Sequence, residues 1–485
     1  MQKTIRFVLD NRIVEIDFSK HPGLKPTTTV LNYLRSLPGH KGVKEGCAEG
    51  DCGACTVVIA EPGTDETLGY KAVDSCLLFL PVIHGKQLIT IENLARSEKD
   101  QVKLHPVQAE MVETNGSQCG YCTPGVVMSL FGVYKNHTQP SLEVIRDAMV
   151  GNLCRCTGYQ SIVEAAKRSC GKGPADHFSD NETNIQRLLG EIRSNTDTIE
   201  LSTEQQKYFK PFTLSEALRI RGENPDAIII NGSTDIALRQ TKKNELLPVI
   251  LDLSGVDELN TYKEEKGFFV FGAGRTMEQV KQATVETLPA LEKILSVFGS
   301  LQIRNLATLG GNICSASPIG DTLPVLIAYG TKVKLCSAKS ERLVELEKFI
   351  TGYRKIDLKK DELLTEIVVP KIDNEIKIIS YKISRREDLD ISTVSATFRL
   401  KVVNENVAEI ILAYGAMAAT VMRAAETEKF LTGKKWSREN VESAMKILAG
   451  EFKPISDARS EAEYRKTVAS NLLLKFYIET TGKPV

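Results

Sequence analysis

Cysteine placement constrains this chain of 485 residues more than any other feature of its sequence. Nine of the eleven cysteines precede residue 171, and only Cys314 and Cys336 follow. In a reducing compartment, cysteines clustered in this way are metal ligands or free thiols more often than disulfides. The distribution therefore predicts an N-terminal third that binds metal and a remainder with a different role.

Charge and hydropathy exclude several function classes. Lysine plus arginine and aspartate plus glutamate both total 62, so the chain lacks the basic excess of a general nucleic-acid or anionic-membrane binder. Its N-terminal sequence contains no apolar segment typical of a signal peptide, and the longest apolar run, 76–83, is too short to span a bilayer. We therefore expect a cytoplasmic chain with no membrane or nucleic-acid partner.

The first cysteine set consists of Cys47, Cys52, Cys55 and Cys76. Its spacing, C-x4-C-x2-C followed by a fourth cysteine, is that of plant-type [2Fe–2S] proteins. Four thiolates are required because two iron ions bridged by sulfide take four terminal ligands. A structural zinc site is the alternative that C-x2-C alone would allow.

The second set consists of Cys119, Cys122, Cys154 and Cys156. Each of its two pairs lies in a loop before a predicted helix, so the four thiols could meet in a helical bundle. A C-x-C pair is uncommon in structural zinc sites, which favours a second cluster. Cys170 fits neither set and is predicted to be a free thiol near a domain edge.

Hydrophobic periodicity predicts an α+β chain of several domains. The N-terminal part reads as β-rich, with a hairpin of 3–9 and 12–18 around Asp10-Asn11, a helix over 29–37, and a second hairpin of 56–60 and 70–73. Helices are then predicted over 105–114, 123–135, 141–149 and 161–167, and a linker follows with one short helix near 184–192. The predicted domains and linker are 1–90, 91–168, 169–206, 207–376 and 377–485.

Two turns in the C-terminal part are candidates for phosphate binding. In the first, a buried strand ends at Gly232-Ser233-Thr234, which could present N–H and hydroxyl donors. In the second, the paired glycines Gly310-Gly311 allow the backbone to approach a ligand closely. On these residues alone, two ordinary turns remain the alternative.

The cysteine motifs together resemble the electron-transfer domains of the xanthine oxidase family of molybdenum hydroxylases. The matching segments are G-C-x-E-G-x-C-G-x-C, Q-C-G-Y-C-T-P-G and G-N-x-C-R-C-T-G-Y, within residues 1–168. This resemblance implies a β-grasp ferredoxin domain and a four-helix domain, the latter nearest a molybdenum pterin. It also implies that Gln118 hydrogen-bonds that pterin, a role for which its amide can donate and accept. A capping or solvent-exposed residue is the alternative for Gln118.

The two turns resemble the flavin-binding domain of the same family, which is of the vanillyl-alcohol-oxidase type. A dinucleotide fold of the Rossmann type is not expected, because Met277 stands where a third glycine would be needed. Residues 377–485 resemble the small α+β C-terminal domain of the flavoprotein part. The residues that the resemblance implies as FAD contacts are Ile229, Ile230, Asn231, Gly232, Ser233, Thr234, Asp235, Ile236, Phe271, Thr308, Leu309, Gly310, Gly311, Asn312, Asp321, Leu364 and Lys382.

Two further segments, 349–355 and 382–392, resemble stretches typical of the xanthine dehydrogenase branch. In the family the second segment lies near the flavin ring and bears on the access of NAD or oxygen. A solvated charge cluster is the alternative interpretation of 385–390.

The resemblance also implies a role within a larger assembly. The C-terminal stretch is too short for a molybdenum-cofactor domain, so we expect a large partner subunit, with two copies of each subunit. Electrons would pass from its molybdenum pterin through two [2Fe–2S] clusters to FAD and then to NAD, while hypoxanthine or xanthine is oxidised to urate. No side chain of this chain is expected to act as a catalytic acid or base.

Three alternatives remain open at this point. The same role in another N-heterocycle or aldehyde hydroxylase differs only in the partner's substrate. A stand-alone iron–sulfur diaphorase would need neither Gln118 nor the second cluster. A zinc-stabilised interaction protein would lack the visible absorbance of iron–sulfur clusters.

Overall fold

The computed structural model describes residues 1–63, 67–98, 101–171 and 175–482. The chain forms two compact units. The N-terminal unit comprises Met1–Asp257 together with the separate segment Gly299–Ala307, and the C-terminal unit comprises Glu258–Phe298 and Thr308–Val485.

The described residues contain strands throughout the chain. In chain order they are β1 (Thr4–Leu9), β2 (Arg12–Asp17), β3 (Thr56–Pro62), β4 (Leu68–Asp74), β5 (Gln87–Ile89), β6 (Arg96–Glu98), β7 (Gln101–Lys103), β8 (Ile199–Ser202), β9 (Lys207–Lys210), β10 (Ile228–Ile230), β11 (Val249–Asp252), β12 (Tyr262–Glu265), β13 (Phe268–Gly272), β14 (Lys332–Cys336), β15 (Glu341–Glu345), β16 (Ile350–Gly352), β17 (Lys355–Ile356), β18 (Leu363–Pro370), β19 (Ile376–Ile383), β20 (Val394–Val403), β21 (Asn406–Gly415) and β22 (Met422–Arg423).

Helices lie between these strands. In chain order they are α1 (Val30–Ser36), α2 (Pro106–Glu113), α3 (Thr123–Asn136), α4 (Leu142–Met149), α5 (Gln160–Cys170), α6 (His177–Asp180), α7 (Glu182–Arg193), α8 (Leu214–Glu223), α9 (Ala237–Thr241), α10 (Met277–Thr284), α11 (Pro289–Ser296), α12 (Leu301–Arg304), α13 (Leu309–Ser315), α14 (Thr322–Tyr329), α15 (Leu346–Phe349), α16 (Ala425–Leu431), α17 (Arg438–Glu451) and α18 (Ala462–Thr481).

The first sheet of the N-terminal unit has the strand order β2-β1-β5-β3-β4. Its β1–β2 hairpin turns at Asp10 and Asn11, whose φ angles of 52° and 61° suit a type I′ turn. Helix α1 begins where the Thr29 side chain accepts a hydrogen bond from the amide of Asn32. Both predicted hairpins and the predicted helix are therefore confirmed, although residues 64–66 of the second turn lie outside the described residues.

Four helices, α2 to α5, follow this sheet and confirm the predicted helical stretch. Helix α3 is buried along most of its length and packs against the first sheet as well as the other helices. The short antiparallel pair β6 and β7 was not predicted. Its strands have only three residues each, too few for an alternating pattern to stand out.

The stretch predicted as a linker is more ordered than expected. Its predicted helix is α7, whose Ile185, Leu189 and Ile192 are buried in the same core as helices α2 to α5. Strand β8 also lies in this stretch and pairs with β9. The prediction of one short helix was therefore incomplete, and residues 172–174 of the glycine-rich start lie outside the described residues.

A second sheet of the N-terminal unit has the order β10-β11-β9-β8. Its strands β9, β10 and β11 are parallel, so their carboxyl ends lie at one edge. The first flavin-candidate loop follows β10 at this edge. Segment 299–307, which contains α12, packs within the same unit.

The C-terminal unit contains two larger sheets, with the orders β12-β13-β18-β14-β15 and β19-β20-β21-β22. Helices α17 and α18 bury the second of these sheets, and the core there includes Phe398, Tyr414 and Phe476. The mixed architecture is the predicted multidomain α+β class. No helix among the described residues combines the length and the apolar character that a membrane span requires.

Candidate cofactor sites

The four thiols of the first cysteine set form two pairs. The thiols of Cys47 and Cys52 are hydrogen-bonded to each other, and so are those of Cys55 and Cys76. Cys55 and Cys76 are buried, whereas Cys47 and Cys52 are half-buried in the loop before β3. Two iron ions that share four thiolates take two terminal ligands each, which is the arrangement these pairs offer.

Main-chain amides point at the sulfur atoms of this set. Glu49 N and Asp51 N donate to Cys47 Sγ at 3.4 and 3.3 Å, and Cys47 N donates to Cys52 Sγ at 3.3 Å. The hydrogen bond from Cys52, assisted by these amides, lowers the pKa of Cys47 to about 5. The loop thus favours the thiolate at Cys47, the form that a metal ligand takes, whereas the hydrogen bond to Cys47 and burial raise the pKa of Cys52.

The second cysteine set lies in two loops that precede helices α3 and α5. Cys119 is hydrogen-bonded to Cys156, and Cys122 to Cys154. Burial raises the pKa of Cys154, but hydrogen bonds from Thr157 outweigh it and bring the value to about 7. The two loops thus bring each cysteine of one pair to a cysteine of the other, as predicted for thiols that meet in a helical bundle.

Each donor set fits a [2Fe–2S] cluster, with four thiols in two pairs. Among the described residues, no three His, Cys, Asp or Glu side chains are grouped as they would be around a single metal ion. The remaining cysteines are also free, as predicted for Cys170. Cys170 nevertheless lies in the helical core, with 1% of its surface exposed, rather than near an edge.

The exposed side of the second set carries the residue predicted to contact a pterin. Gln118 and its neighbour Cys119 are exposed, as is Cys156 on the other loop. Two large apolar side chains, Tyr121 and Leu153, are 50% and 43% exposed beside them. The candidate ligands Cys119 and Cys156 therefore lie at the protein surface, close in sequence to partly exposed apolar side chains.

The first flavin-candidate loop is tightly packed within the N-terminal unit. A Cβ on Gly232 would lie 1.7 Å from the carbonyl oxygen of Leu306, so only glycine fits. The hydroxyl of Ser233 donates to the carbonyl of Leu77 at 2.7 Å. Sequence reasoning assigned both residues to a ligand; the structure shows that Gly232 also packs against Leu306 and that Ser233 also joins this loop to the segment next to Cys76.

The second flavin-candidate turn lies in the C-terminal unit, where Thr308 caps α13 by accepting from the amide of Gly311. Its two glycines differ in their surroundings. A Cβ on Gly310 would lie 2.6 Å from the carbonyl oxygen of Ala273, whereas Gly311 is exposed and its nearest neighbour is Thr308. Gly310 is therefore required by packing, and Gly311 leaves backbone open to a ligand.

A buried ion pair brings together two predicted FAD contacts. Lys382 Nζ lies 3.0 Å from Asp321 Oδ2, and the two side chains are 6% and 7% exposed. Lys382 also donates to the carbonyl of Val297, and the hydroxyl of Ser392 donates to Asp321 Oδ1 at 2.6 Å. Ser392 belongs to this cluster, although sequence reasoning gave it no role of its own.

This ion pair gives a stability prediction. Asp321→Ala leaves the Lys382 ammonium buried without a carboxylate, and we expect a loss of about 3–5 kcal/mol in the free energy of unfolding. Denaturant titration followed by circular dichroism measures this change. The double variant Asp321→Leu/Lys382→Met removes both charges and should recover most of the loss. A single variant as stable as the unchanged chain would contradict the pairing.

The other implied FAD contacts of this unit lie in its interior. Phe271 is fully buried, with its ring 5.0 Å from that of Tyr262, and Leu364 is 6% exposed. Both side chains pack in the sheet that contains β13 and β18. Their contact with FAD stays a prediction; Phe271 lies in β13, which is paired with β12 on one side and β18 on the other.

Three family models match successive parts of the chain. A [2Fe-2S] binding domain matches residues 90–167, the FAD binding domain in molybdopterin dehydrogenase matches 202–372, and the CO dehydrogenase flavoprotein C-terminal domain matches 379–480. The second cysteine set lies within the first of these matches and both flavin-candidate turns lie within the second, whereas the first cysteine set precedes the matched residues.

Similarity along nearly the whole of this chain, together with the three domain matches, shows the family. The xanthine dehydrogenase/oxidase of Gallus gallus is 32% identical over 551 aligned residues, which cover 98% of this chain and 40% of that protein. The xanthine dehydrogenase of Emericella nidulans is 31% identical, with 98% and 38% covered. The chain belongs to the xanthine oxidase family. As a member of that family, it corresponds to the iron–sulfur and flavin part and spans about 40% of the length of these relatives.

Solved structures share the fold of part of this chain, which belongs to the xanthine oxidase family. The carbon monoxide dehydrogenase of Hydrogenophaga pseudoflava has a TM-score of 0.53 and 23% identity, with 56% of this chain and 96% of that chain covered. The quinoline 2-oxidoreductase of Pseudomonas putida 86 has a TM-score of 0.51 and 23% identity, with 55% and 94% covered.

Proposed function

We propose that this chain carries electrons from a partner's molybdenum pterin through two [2Fe–2S] clusters to FAD and on to NAD. In this proposal the partner oxidises hypoxanthine and xanthine to urate, and two copies of each subunit assemble. Reduced thiols are needed for cluster binding, so a cytoplasmic location belongs to the same proposal. Most of the substrate assignment comes from the xanthine dehydrogenases that resemble the whole chain.

The single observation that carries the proposal is the contact between the first cysteine set and a flavin-candidate loop. Ser233 donates to the carbonyl of Leu77, the residue that follows the ligand candidate Cys76. Lys242, which lies beyond the same loop, donates to the carbonyl of Cys47 at 3.0 Å and pairs with Glu49 at 3.2 Å. A flavin held by this loop would lie in the same unit as the thiols that feed it.

Within this proposal each set of residues has one task. The eight paired cysteines hold the clusters, and the amides directed at Cys47 stabilise charge on sulfur. The proposed FAD contacts are loop 229–236 and, separately, Thr308–Asn312, Asp321 and Lys382. Bound clusters and FAD supply the redox chemistry itself, so no side chain of the chain needs to act as an acid or base.

The exposed end of the second set is the proposed entry point for electrons. Cys119 and Cys156 are exposed there beside Gln118, Tyr121 and Leu153. Gln118 can donate to and accept from a pterin ring. A molybdenum-cofactor partner that covers this surface would place its cofactor next to the second cluster.

Coexpression with a molybdenum-cofactor subunit tests the proposal. The purified complex should reduce NAD when xanthine is added, and the absorbance of the clusters and flavin should bleach first. Gln118→Ala should slow this bleaching while leaving iron and FAD content unchanged. Bleaching by an aldehyde or another N-heterocycle, but not by xanthine, would overturn the substrate assignment alone. A complex that no such substrate bleaches would overturn the electron-transfer role.

A further inference from the structure

The loops that carry the two cysteine sets are joined directly by hydrogen bonds. Leu153 N, next to Cys154, donates to the carbonyl oxygen of Cys52 at 3.0 Å. Tyr121, between Cys119 and Cys122, donates its hydroxyl to the carbonyl of Glu45. The two sets are thus connected through the main chain of residues that carry or adjoin their thiols.

Asn152 is the side chain that holds together the junction between these two cysteine loops. Its Nδ2 donates to the carbonyl of Gly53 at 3.1 Å and to the hydroxyl of Thr56 at 3.2 Å. Its Oδ1 accepts from the hydroxyl of Ser129 at 2.6 Å and from Gln302 Nε2 at 3.1 Å. Asn152 is 1% exposed, so its amide satisfies its donors and acceptor entirely within the protein.

The far side of Asn152 is held by a residue from a distant part of the sequence. Gln302 is fully buried, and its Nε2 also donates to the hydroxyl of Ser129 at 2.8 Å and to the carbonyl of Ala148 at 2.9 Å. Gln302 lies in segment 299–307, which directly precedes the second flavin-candidate turn in the sequence. Asn152 is therefore held from two sides and has little freedom to move.

Three glycines allow this close approach. A Cβ on Gly53 would lie 2.2 Å from the carbonyl oxygen of Gly151, and one on Gly125 would lie 2.1 Å from that of Gly53. A Cβ on Gly151 would lie 2.4 Å from Gln302 Oε1. The chain thus brings the two cysteine loops and helix α3 together at distances that a larger residue would not permit.

We propose that Asn152 is a positioning residue for electron transfer between the two clusters. Its amide holds Leu153 N–H against the carbonyl of Cys52, so that one hydrogen bond connects Cys52 to Cys154 through the main chain. This contact sets the separation of the two cysteine sets and supplies the bonded route between them.

This inference rests on the proposed function, because it requires two clusters in the chain. An electron passing between bound clusters would oxidise one ferrous iron of the donor to ferric and reduce one ferric iron of the acceptor to ferrous. No bond is made or broken and no proton moves in this step. Asn152 acts on the geometry between the two cysteine sets without touching either cluster.

The test uses Asn152→Ala in the full chain, with Asn136→Ala as the matched control. Asn136 lies at the end of α3 and donates Nδ2 to the carbonyl of Tyr70 at 2.7 Å, so the control removes a similar amide away from both cysteine loops. Electron paramagnetic resonance of the fully reduced chain measures the spin–spin splitting between the clusters. Hydrogen exchange measures the protection of the Leu153 amide.

We expect Asn152→Ala to keep its iron and sulfide, to lose or reduce the splitting, and to exchange the Leu153 amide at least about tenfold faster, equal to about 1.4 kcal/mol. Asn136→Ala should match the unchanged chain in both measurements. Unchanged splitting and unchanged exchange in Asn152→Ala would overturn the inference while the proposed function stands. An unchanged chain without two cluster signals would instead overturn the proposed function.

A second variant covers the case in which Asn152→Ala fails to bind its clusters. Gln302→Met removes the donor behind Asn152 but leaves both cysteine loops unaltered. We expect a reduced splitting and a faster exchange of the Leu153 amide, each by less than in Asn152→Ala. If the splitting and the Leu153 amide exchange of Gln302→Met equalled those of the unchanged chain, the positioning role of Asn152 would be overturned.

Discussion

Cys119→Ser is expected to remove about half of the iron and acid-labile sulfide of the chain, because one of its two clusters loses a thiolate ligand. Cys119 is exposed and hydrogen-bonded to Cys156, so serine fits its position without disturbing a core. The first cluster and FAD should remain, since their candidate residues lie elsewhere. Metal analysis, sulfide assay and flavin absorbance of the purified variant measure the three cofactors separately.

Cys336→Ser is the matched control for this variant. Cys336 lies 3.3 Å from the hydroxyl of Thr365, so a serine there keeps a polar partner, and it belongs to neither cysteine set. Full iron content is expected. If Cys119→Ser lost FAD alone, or lost all iron while unfolding at the normal temperature, the division into two sets would be wrong.

Gly125→Ala is expected to destabilise the chain by about 1–3 kcal/mol, the usual cost of forcing an extra carbon into a packed interior. Its Cβ would lie 2.1 Å from the carbonyl oxygen of Gly53, in the loop between Cys52 and Cys55. Either helix α3 or this loop must move, so iron content should fall together with stability. Denaturant titration and iron analysis measure the two effects.

Gly132→Ala provides the control on the same helix. Its Cβ would meet the Cβ of Ala72 at 3.6 Å, an ordinary van der Waals distance. Alanine favours a helix interior over glycine by about 1 kcal/mol, so this variant should be as stable as the unchanged chain or slightly more so. Equal stability of the two alanine variants would contradict the close packing of α3 on the cysteine loop.

Local sequence patterns were sufficient to predict much of the secondary structure of the N-terminal unit. Asp10-Asn11 specifies its turn because both residues tolerate positive φ, and Thr29 specifies the start of α1 through its own hydroxyl. Cysteine spacing grouped the eight ligand candidates into the sets that the structure brings together. Each of these signals is contained within a short stretch of chain.

Contacts between distant segments were not predictable in this way. Gln302 packs against Asn152 although 150 positions separate them, and the four-residue helix that contains it has no periodic pattern. Gly232 and Gly310 were interpreted as ligand-facing, because a glycine required by packing and one required by a ligand look alike in a sequence. Asn152 belongs to the motif G-N-x-C of the second cysteine set, but its role depends on contacts with the loop of the first cysteine set, which the motif does not show.

Iron, acid-labile sulfide and flavin content of the purified chain test the central claim most directly. We expect about four iron and about four sulfide per chain, two of each per cluster, together with one FAD. Reduction should produce two distinct paramagnetic signals. Zinc without labile sulfide, or a single cluster signal in a chain with its full complement of FAD, would show that the chain does not bind two [2Fe–2S] clusters.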